Sequence, residues 1–263
     1  MSEYLIQEET LTGIADAIRG KTGGTDPVAV SDMAAQIEGI QAGGGDIDAF
    51  IDGSIGGEVN RNVVSVKGNA FSSCNNLISV NLPKAKTIGT NAFSNCDNLT
   101  EVHAPATTNI ESGAFQNSRK ITTANFPLVE YINSNTFHSC SGLVSVNLPN
   151  ARTIAGYAFY SCTSLRILDL PSLSKITANY AFANCSVLEA LVLRKEAVCT
   201  LANQKTFTGT PIASGTGYIY TPSALIDQYK AATNWSIYAA QFRTLEDYTV
   251  DGTVTGELDE SKI

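Results

Sequence analysis

Long apolar runs are absent from this 263-residue sequence, and the runs that exist are too short to cross a bilayer. Residues 1–5 also lack the basic start of a secretory signal peptide, and no apolar signal core follows them. We therefore expect a protein that is made in the cytoplasm without a signal peptide and that does not insert into membranes. A hydrophobic content of 43% still provides for one substantial core or one long solenoid.

Histidine is scarce, with only His103 and His138 in the chain. A nucleophilic triad would have to use one of these two residues, and neither lies in a recognised nucleophile motif. The sequence also lacks the glycine-rich patterns that cradle phosphates or dinucleotides. We expect a protein that is not an enzyme and that needs no cofactor.

The net charge of −8 is unevenly distributed. Residues 1–60 hold 11 acids and 2 bases, residues 61–207 hold 7 acids and 12 bases, and residues 208–263 hold 7 acids and 3 bases. The acidic N-terminal region would repel phosphate groups, because nucleic-acid binding relies on lysine and arginine contacts. We expect no nucleic-acid partner.

What the sequence does have is an internal repeat of 22 residues. The repeat is marked by phenylalanines that are spaced by 22 residues, then by 23 and finally by 25: Phe71, Phe93, Phe115, Phe137, Phe159, Phe182 and Phe207. A second row of residues keeps the 22-residue spacing throughout: Pro83, Pro105, Pro127, Pro149 and Pro171.

Each unit has the pattern A-F-x-x-C-x-x-L-x-x-V-x-L-P-x-A-x-x-I. The segment L-x-x-V-x-L alternates as a short strand does, with Leu77, Val80 and Leu82 pointing inward in the first unit. Pro83 must end this strand, and the chain then turns to an inward Ile88. A single unit cannot bury its apolar side, whereas stacked units form a continuous core. The pattern therefore predicts an α/β repeat fold, a right-handed leucine-rich-repeat solenoid.

Five of the six cysteines occupy one position of the repeat, three residues after the phenylalanine: Cys74, Cys96, Cys140, Cys162 and Cys185. Ser118 takes this place in the third unit. The cysteines form no C-x₂₋₄-C pair, which is the usual spacing of structural zinc ligands. Stacked rungs give their side chains parallel directions that do not suit disulfides. We expect a ladder of buried free thiols, with Cys199 outside it, and no metal.

The units from Ala70 to Leu193 resemble the Bacteroides-surface-protein, or treponemal, class of leucine-rich repeats, which shares the pattern A-F-x-x-C-x-x-L-x-x-I-x-L-P. This resemblance implies a bacterial surface or adhesion protein that binds other macromolecules and has no catalytic residues. The absence of a secretion signal departs from that association.

The regions on either side of the repeats differ from them. Thr10 to Ile40 carry the patterns of two short helices, and we divide the chain into a helical segment at residues 1–41 and a glycine-rich linker at 42–49. The helical segment resembles the N-terminal region of tail-associated proteins from prophages of gut bacteria. That resemblance implies attachment to tail or particle proteins through residues 1–41.

We assign the solenoid to residues 50–207, with an incomplete first rung at 50–55 and 63–66. A C-terminal α+β cap follows at residues 208–247. In this cap we expect a strand at 218–220, a helix that begins with Thr221 as N-cap and Pro222 at its first position, and a shorter helix or turn at 235–242. Trp235 is expected in the core of the cap. An acidic tail at 248–263 contains Asp251-Gly252, a hairpin signal.

Two surfaces are candidates for ligand binding. The outward positions of the predicted strands include Glu101, His103, Asn125, Asn147 and Asp169. This face is also consistent with a solvated sheet that carries stacked asparagines.

The second candidate surface lies beside the repeat phenylalanines, where the spacing groups Tyr157, Tyr160, Tyr180 and His138 on neighbouring rungs. Amphipathic rings on a rigid scaffold are common at recognition sites for sugars and proteins. The alternative is that the tyrosines pack beneath neighbouring rungs or the cap.

The sequence thus predicts a non-enzymatic recognition protein that binds a protein or glycan on a cell surface. Display on a prophage-derived tail, with release by lysis, would explain the missing signal. A free-standing adhesin that is exported by another route and an intracellular interaction scaffold remain as alternatives.

Overall fold

The structure, a computed structural model, describes residues 57–60, 63–250 and 253–254. The two predicted helices, the glycine-rich linker and the segment 50–55 lie outside these residues. Within the described part, no helix is long and apolar enough to cross a membrane.

The longer strand of each rung belongs to a parallel ladder that forms one side of the solenoid. The ladder is divided into a sheet of five strands and a sheet of four. The first sheet contains β1 (Gly57–Asn60), β3 (Leu77–Asn81), β5 (Glu101–His103), β7 (Thr123–Asn125) and β9 (Ser145–Asn147). The second contains β11 (Ile167–Asp169), β13 (Ala190–Val192), β15 (Tyr218–Thr221) and β16 (Phe242–Thr244). Val80 pairs with Val102, as a 22-residue repeat requires.

A second parallel sheet is built from two-residue strands on another side of the rungs. Its strands are β2 (Ser65–Val66), β4 (Thr87–Ile88), β6 (Asn109–Ile110), β8 (Tyr131–Ile132), β10 (Thr153–Ile154), β12 (Lys175–Ile176) and β14 (Thr200–Leu201). The second residue of every strand is buried, which confirms the inward isoleucines.

The repeat phenylalanines form one stack through the core. From Phe71 to Phe207, neighbouring ring centroids lie 5.1 to 5.7 Å apart, and the rings are close to parallel. Offset-stacked rings at such distances attract each other in addition to the area they bury. The stack fixes the phase of successive rungs, so that equivalent positions line up in columns.

The cysteine column is buried and its members form no disulfides, as predicted, although Cys74 in the first complete rung is only half-buried. The structure adds a role that the sequence does not reveal. The Cys96 thiol donates to the Phe71 carbonyl at 2.9 Å, and the thiols of Cys140, Cys162 and Cys185 donate in the same way to Phe115, Phe137 and Phe159. Burial raises the pKa of Cys96 to about 12, which keeps the donor proton in place.

The turn around each phenylalanine from Phe71 to Phe182 contains two residues with positive φ. They lie two residues before and two residues after the ring, with φ between 54° and 68°. The residues at the first position are Asn69, Asn91, Gly113, Asn135, Tyr157 and Tyr180, and those at the second are Ser73, Asn95, Asn117, Ser139, Ser161 and Asn184. Glycine and asparagine adopt this conformation at low cost, whereas tyrosine does not.

The cap closes the C-terminal end of the core with short helical turns. Its helices are α1 (Pro211–Ser214) and α2 (Ile226–Ala231), and 3₁₀ turns lie at Gln204–Phe207, Ser223–Leu225, Ser236–Gln241 and Leu245–Asp247. The predicted hairpin is present as β17 (Thr249–Val250) and β18 (Thr253–Val254).

The predicted start of the cap helix is wrong. Thr221 is the last residue of β15 and pairs with Thr244 of β16, so it does not cap a helix. The chain passes instead through the 3₁₀ turn that follows Pro222 before α2 begins at Ile226. Pairing with β16 keeps the Thr221 backbone in a strand, so the helix cannot begin there.

Trp235 lies in the cap core, as predicted, with none of its surface exposed. Its indole N–H donates to the Cys199 carbonyl at 2.6 Å, and its ring packs against Phe207 and Tyr229. The hydroxyl of Tyr229 accepts from the Cys199 backbone N–H at 2.9 Å. The sixth cysteine is thus enclosed where the cap joins the last rung.

Candidate recognition surface

The predicted tyrosines and His138 come together on three consecutive rungs, and we call these four residues the aromatic cluster. The His138 ring stacks on Tyr160 with centroids 4.9 Å apart. The Tyr157 ring centroid lies 5.5 Å from that of Tyr160 and 5.3 Å from that of Tyr180. The cluster is a contiguous patch of rings, built by the phase that the phenylalanine stack imposes.

The cluster faces solvent, because Tyr157 remains 37% exposed and the other three side chains are half-buried. The alternative, burial of the tyrosines beneath neighbouring rungs, does not fit these exposures. Aromatic faces with one polar end are suited to contacts that combine apolar area with hydrogen bonds.

Hydrogen bonds to neighbouring polar residues fix two of the rings. The Asn184 side-chain amide donates to the Tyr160 hydroxyl at 2.8 Å, and the Ser139 hydroxyl is 3.0 Å from His138 Nδ1. Lys205 lies over the Tyr180 ring, with Nζ 6.0 Å from the centroid. Asn184 and Lys205 occupy columns that flank the repeat phenylalanine, but their spacing alone does not predict these contacts.

Two tyrosines of the cluster have an unfavourable backbone conformation. Tyr157 and Tyr180 have φ values of 59° and 58°, at the position where other rungs carry asparagine or glycine. A bulky residue in the left-handed region loses about 1–2 kcal/mol relative to its usual conformation. Such strain concentrates at functional sites, which makes these residues candidates for a role other than stability.

The extra residue in the 23-residue interval lies next to the cluster, between Ile176 and Tyr180. A Cβ built on Gly156 would lie 3.0 Å from the Ala178 side chain and 3.2 Å from the Asn179 carbonyl oxygen. Glycine before Tyr157 therefore leaves space for the longer turn. Insertions in repeat proteins map to one face, which is often the binding face.

Partial burial lowers the pKa of His138 below its ordinary value. The imidazole is therefore neutral at pH 7, with one ring nitrogen able to accept and the other able to donate.

The other candidate surface, on the longer strands, is open over its first part. Glu101, His103, Asn125 and Asn147 are all exposed. The Asn147 amide donates to the Asn125 side-chain carbonyl at 3.0 Å, which confirms stacking for that pair of asparagines. One donor of Asn147 and the side-chain acceptor of Asn125 are thus engaged with each other and not with a ligand.

The second part of this surface is covered, contrary to expectation. Asp169 forms an ion pair of 2.8 Å with Arg194, and its side chain is only 9% exposed. Burial raises the pKa of Asp169, although Arg194 opposes this effect. Ala190 and Val192, which the alternation places outward, are buried against Tyr248 and Tyr220 because the C-terminal segment folds across β13 and β15.

A hydroxyl-rich hollow of about 540 Å³ lies beyond the aromatic cluster, beside α1. It is lined by Ser186, Gly209, Thr210, Pro211, Ala213, Ser214 and Thr216. A Cβ on Gly209 would lie 2.6 Å from the Asn184 side-chain oxygen, so the hollow adjoins the amide that holds Tyr160. The repeat pattern does not predict this hollow, because its walls come from both the last rung and the cap.

Three solved structures with similarity to this chain are leucine-rich repeat or leucine-rich proteins of bacteria. A leucine-rich repeat protein of Treponema pallidum is 26% identical, with a TM-score of 0.38, and the match covers 47% of this chain and 70% of that protein. A leucine-rich cell surface protein of Faecalibacterium prausnitzii is 19% identical, with a TM-score of 0.38 and coverage of 59% and 57%. A leucine-rich repeat protein of Bacteroides ovatus is 17% identical, with a TM-score of 0.40 and coverage of 67% and 64%.

This chain thus spans less than two thirds of the Faecalibacterium and Bacteroides proteins. No curated protein matches the sequence. The family model for the BspA type leucine-rich repeat region matches in six copies over residues 58–142 and 108–218. Because these matches cover more than half of the sequence and coincide with the rungs described above, the chain belongs to the BspA-type leucine-rich repeat family.

Proposed function

We propose that this protein is a non-enzymatic recognition module that uses the aromatic cluster to bind a molecule on a cell surface. The observation that carries the proposal is the left-handed backbone of Tyr157 and Tyr180 in an exposed group of rings. Asparagine or glycine at these positions would relieve the strain, as other rungs demonstrate. Tyrosine there is best explained by a ligand.

The scaffold supports this role because it holds the rings in place before the ligand arrives. The cluster lies on the same three rungs as the stacked rings of Phe137, Phe159 and Phe182. The Asn184 amide also holds the Tyr160 hydroxyl. Pre-ordered side chains lose less conformational entropy on binding, so more of the contact energy appears as affinity.

A cell-binding assay tests the proposal. Tyr157→Ala combined with Tyr160→Ala should weaken binding to bacterial and host cells by at least about tenfold, in the range of a hot-spot loss. Glu101→Ala combined with His103→Ala alters the strand surface and serves as the matched control. If the tyrosine variant keeps full binding while its circular dichroism is unchanged, the aromatic cluster is not the recognition site.

For display, we propose attachment to a prophage-derived tail through residues 1–41. Antiserum should then detect the protein in purified particles after prophage induction. Detection on intact cells without particles would favour a free-standing adhesin, and a purely cytosolic signal with a co-purifying partner would favour an interaction scaffold. The first result would contradict the tail proposal without affecting the aromatic cluster, whereas the second would also contradict recognition at a cell surface.

A further inference from the structure

The surface that carries the aromatic cluster is nearly free of charge. We define the uncharged face as the residues three and two positions before, and one and two positions after, each repeat phenylalanine from Phe71 to Phe207. Over these described rungs the face contains one ionic side chain, Lys205, and its other residues are amides, hydroxyls, tyrosines, His138, glycines and an alanine. One carboxylate borders it, because Glu111 accepts from the Thr90 N–H at 2.9 Å and from the Thr90 hydroxyl at 2.8 Å.

This neutrality is a property of the face and does not reflect a shortage of charge in the rungs. Residues 61–207 hold 12 bases and 7 acids. Charged side chains pair across rungs elsewhere, as Arg119 does with Asp97 at 3.2 Å and Arg166 with Glu189 at 2.7 Å. The uncharged face therefore presents neutral donors and acceptors around a group of rings.

Building on the proposed function, we infer that the uncharged face binds a neutral oligosaccharide that lies along the solenoid axis, with the aromatic cluster as its main contact. Tyrosine faces can stack on the C–H faces of sugar rings, while amides and hydroxyls can bond to sugar hydroxyls. An anionic polymer would require the basic residues that this face lacks.

The arrangement of the rings sets the direction of the ligand. Tyr157 and Tyr180 belong to neighbouring rungs, with centroids 5.3 Å apart, so a ligand that touches both extends along the stack. Towards the N-terminal rungs the ligand reaches Asn117 and Asn95, which each lie two residues after a repeat phenylalanine. The Asn117 side-chain amide donates to the Asn95 side-chain oxygen at 2.9 Å.

In the other direction the ligand passes Asn184 and reaches the hydroxyl-rich hollow beside α1. The hollow is also uncharged, and hydroxyl groups line it. Those of Thr210 and Ser214 donate to the carbonyls of Phe207 and Pro211, so they offer a ligand acceptor oxygens. A chain of sugar units would therefore meet polar, neutral surface on both sides of the rings.

Titration calorimetry of the full chain with defined hexasaccharides tests this inference. The neutral probes are cellohexaose, maltohexaose, mannohexaose and chitohexaose, and the acidic probes are hexagalacturonate and a hyaluronan hexasaccharide. We expect at least one neutral probe to bind, with an affinity that changes less than about twofold between low and high salt, because no counterions are released.

Substitutions assign the site. Tyr157→Ala with Tyr180→Ala should reduce the affinity for the neutral probe by at least about tenfold, and Asn184→Ala should reduce it less. Tyr131→Ala removes a tyrosine that is 45% exposed on the short-strand sheet, and it should leave the affinity unchanged.

The outcomes separate this inference from the proposed function. If no neutral probe binds, or if only acidic probes bind, the oligosaccharide inference is wrong. Tyrosine-dependent binding to cells would then still support the recognition role, with a different ligand. If neither cells nor probes respond to the tyrosine substitutions, both proposals fail.

Discussion

At the scale of single residues, the column that follows each phenylalanine by three positions combines packing with hydrogen bonding. Ser118 reproduces the function of the cysteines, because its hydroxyl donates to the Phe93 carbonyl at 2.6 Å. It also accepts from the Cys96 backbone N–H at 3.1 Å. The residue type at this position is therefore set by the need for a small buried donor.

Ser118→Ala should destabilise the protein, because it removes both hydrogen bonds from buried backbone groups. We expect a loss of about 2–4 kcal/mol in the free energy of unfolding. Ser118→Cys restores the donor found on the other rungs and should cost less than about 1 kcal/mol. Urea denaturation followed by circular dichroism measures both values, and equal stability of the two variants would contradict the hydrogen-bonding role.

Tyr157 offers a direct test of backbone strain. At a position with φ of 59°, Tyr157→Gly should be more stable than Tyr157→Ala by about 1 kcal/mol, since only glycine adopts this conformation without cost. Tyr160, which is not among the residues with positive φ, provides the control. There alanine should be at least as stable as glycine, and the same order at both positions would exclude strain at Tyr157.

Residues in the repeat columns could be predicted from the sequence, whereas contacts between columns could not. The spacing alone grouped Tyr157, Tyr160, Tyr180 and His138. In stacked rungs, residues that are one repeat apart in the sequence lie side by side in the structure. The bond from Asn184 to Tyr160 depends on side-chain reach across rungs. The left-handed positions did leave a signal, since asparagine, glycine and serine predominate there.

At the scale of elements, the rung is the unit that repeats and the unit that packs. Each rung contributes a longer strand, a short strand and a phenylalanine to ladders that run through the molecule. Repeat proteins of this kind contact mainly their neighbours, so their stability is approximately a sum over units and interfaces. A whole rung should therefore be removable, whereas part of a rung should not.

Deletion of residues 92–113 joins Asn91 to Ala114 and removes one complete rung in register. We expect a folded protein whose urea m-value falls by roughly a tenth, because less surface is exposed on unfolding. Deletion of residues 92–102 removes half a rung and should prevent cooperative folding. Binding through the aromatic cluster, which lies on later rungs, should survive the first deletion, and its loss would indicate longer-range coupling.

Strands with the repeat pattern were predicted well, and elements of the cap less so. The three residues of β16 lie outside the 22-residue repeat, so the sequence pattern does not indicate that Phe242 pairs with Ile219. That pairing also explains why Thr221 stays in a strand. Sequence patterns report local preference and burial, while the position of a non-repeating segment depends on the surface it covers.

At the scale of the whole molecule, the cap seals an apolar core that would otherwise end at Phe207. Trp235→Ala should lower the free energy of unfolding by about 3–5 kcal/mol, because it opens a cavity against Phe207 and Tyr229. Ile237→Ala, at a side chain that is 52% exposed, is the control in the same segment. Thermal unfolding monitored by circular dichroism distinguishes them, and equal melting temperatures would rule out a sealing role.

The division of the longer-strand ladder between β9 and β11 has a mechanical consequence. At that point the rungs are joined by the short-strand sheet and the turns, so a pull along the stack should open the molecule there first. Each rung that peels away would release 22 residues, or about 75 Å of extended chain. Under load such a solenoid would therefore lengthen rung by rung and not in a single step.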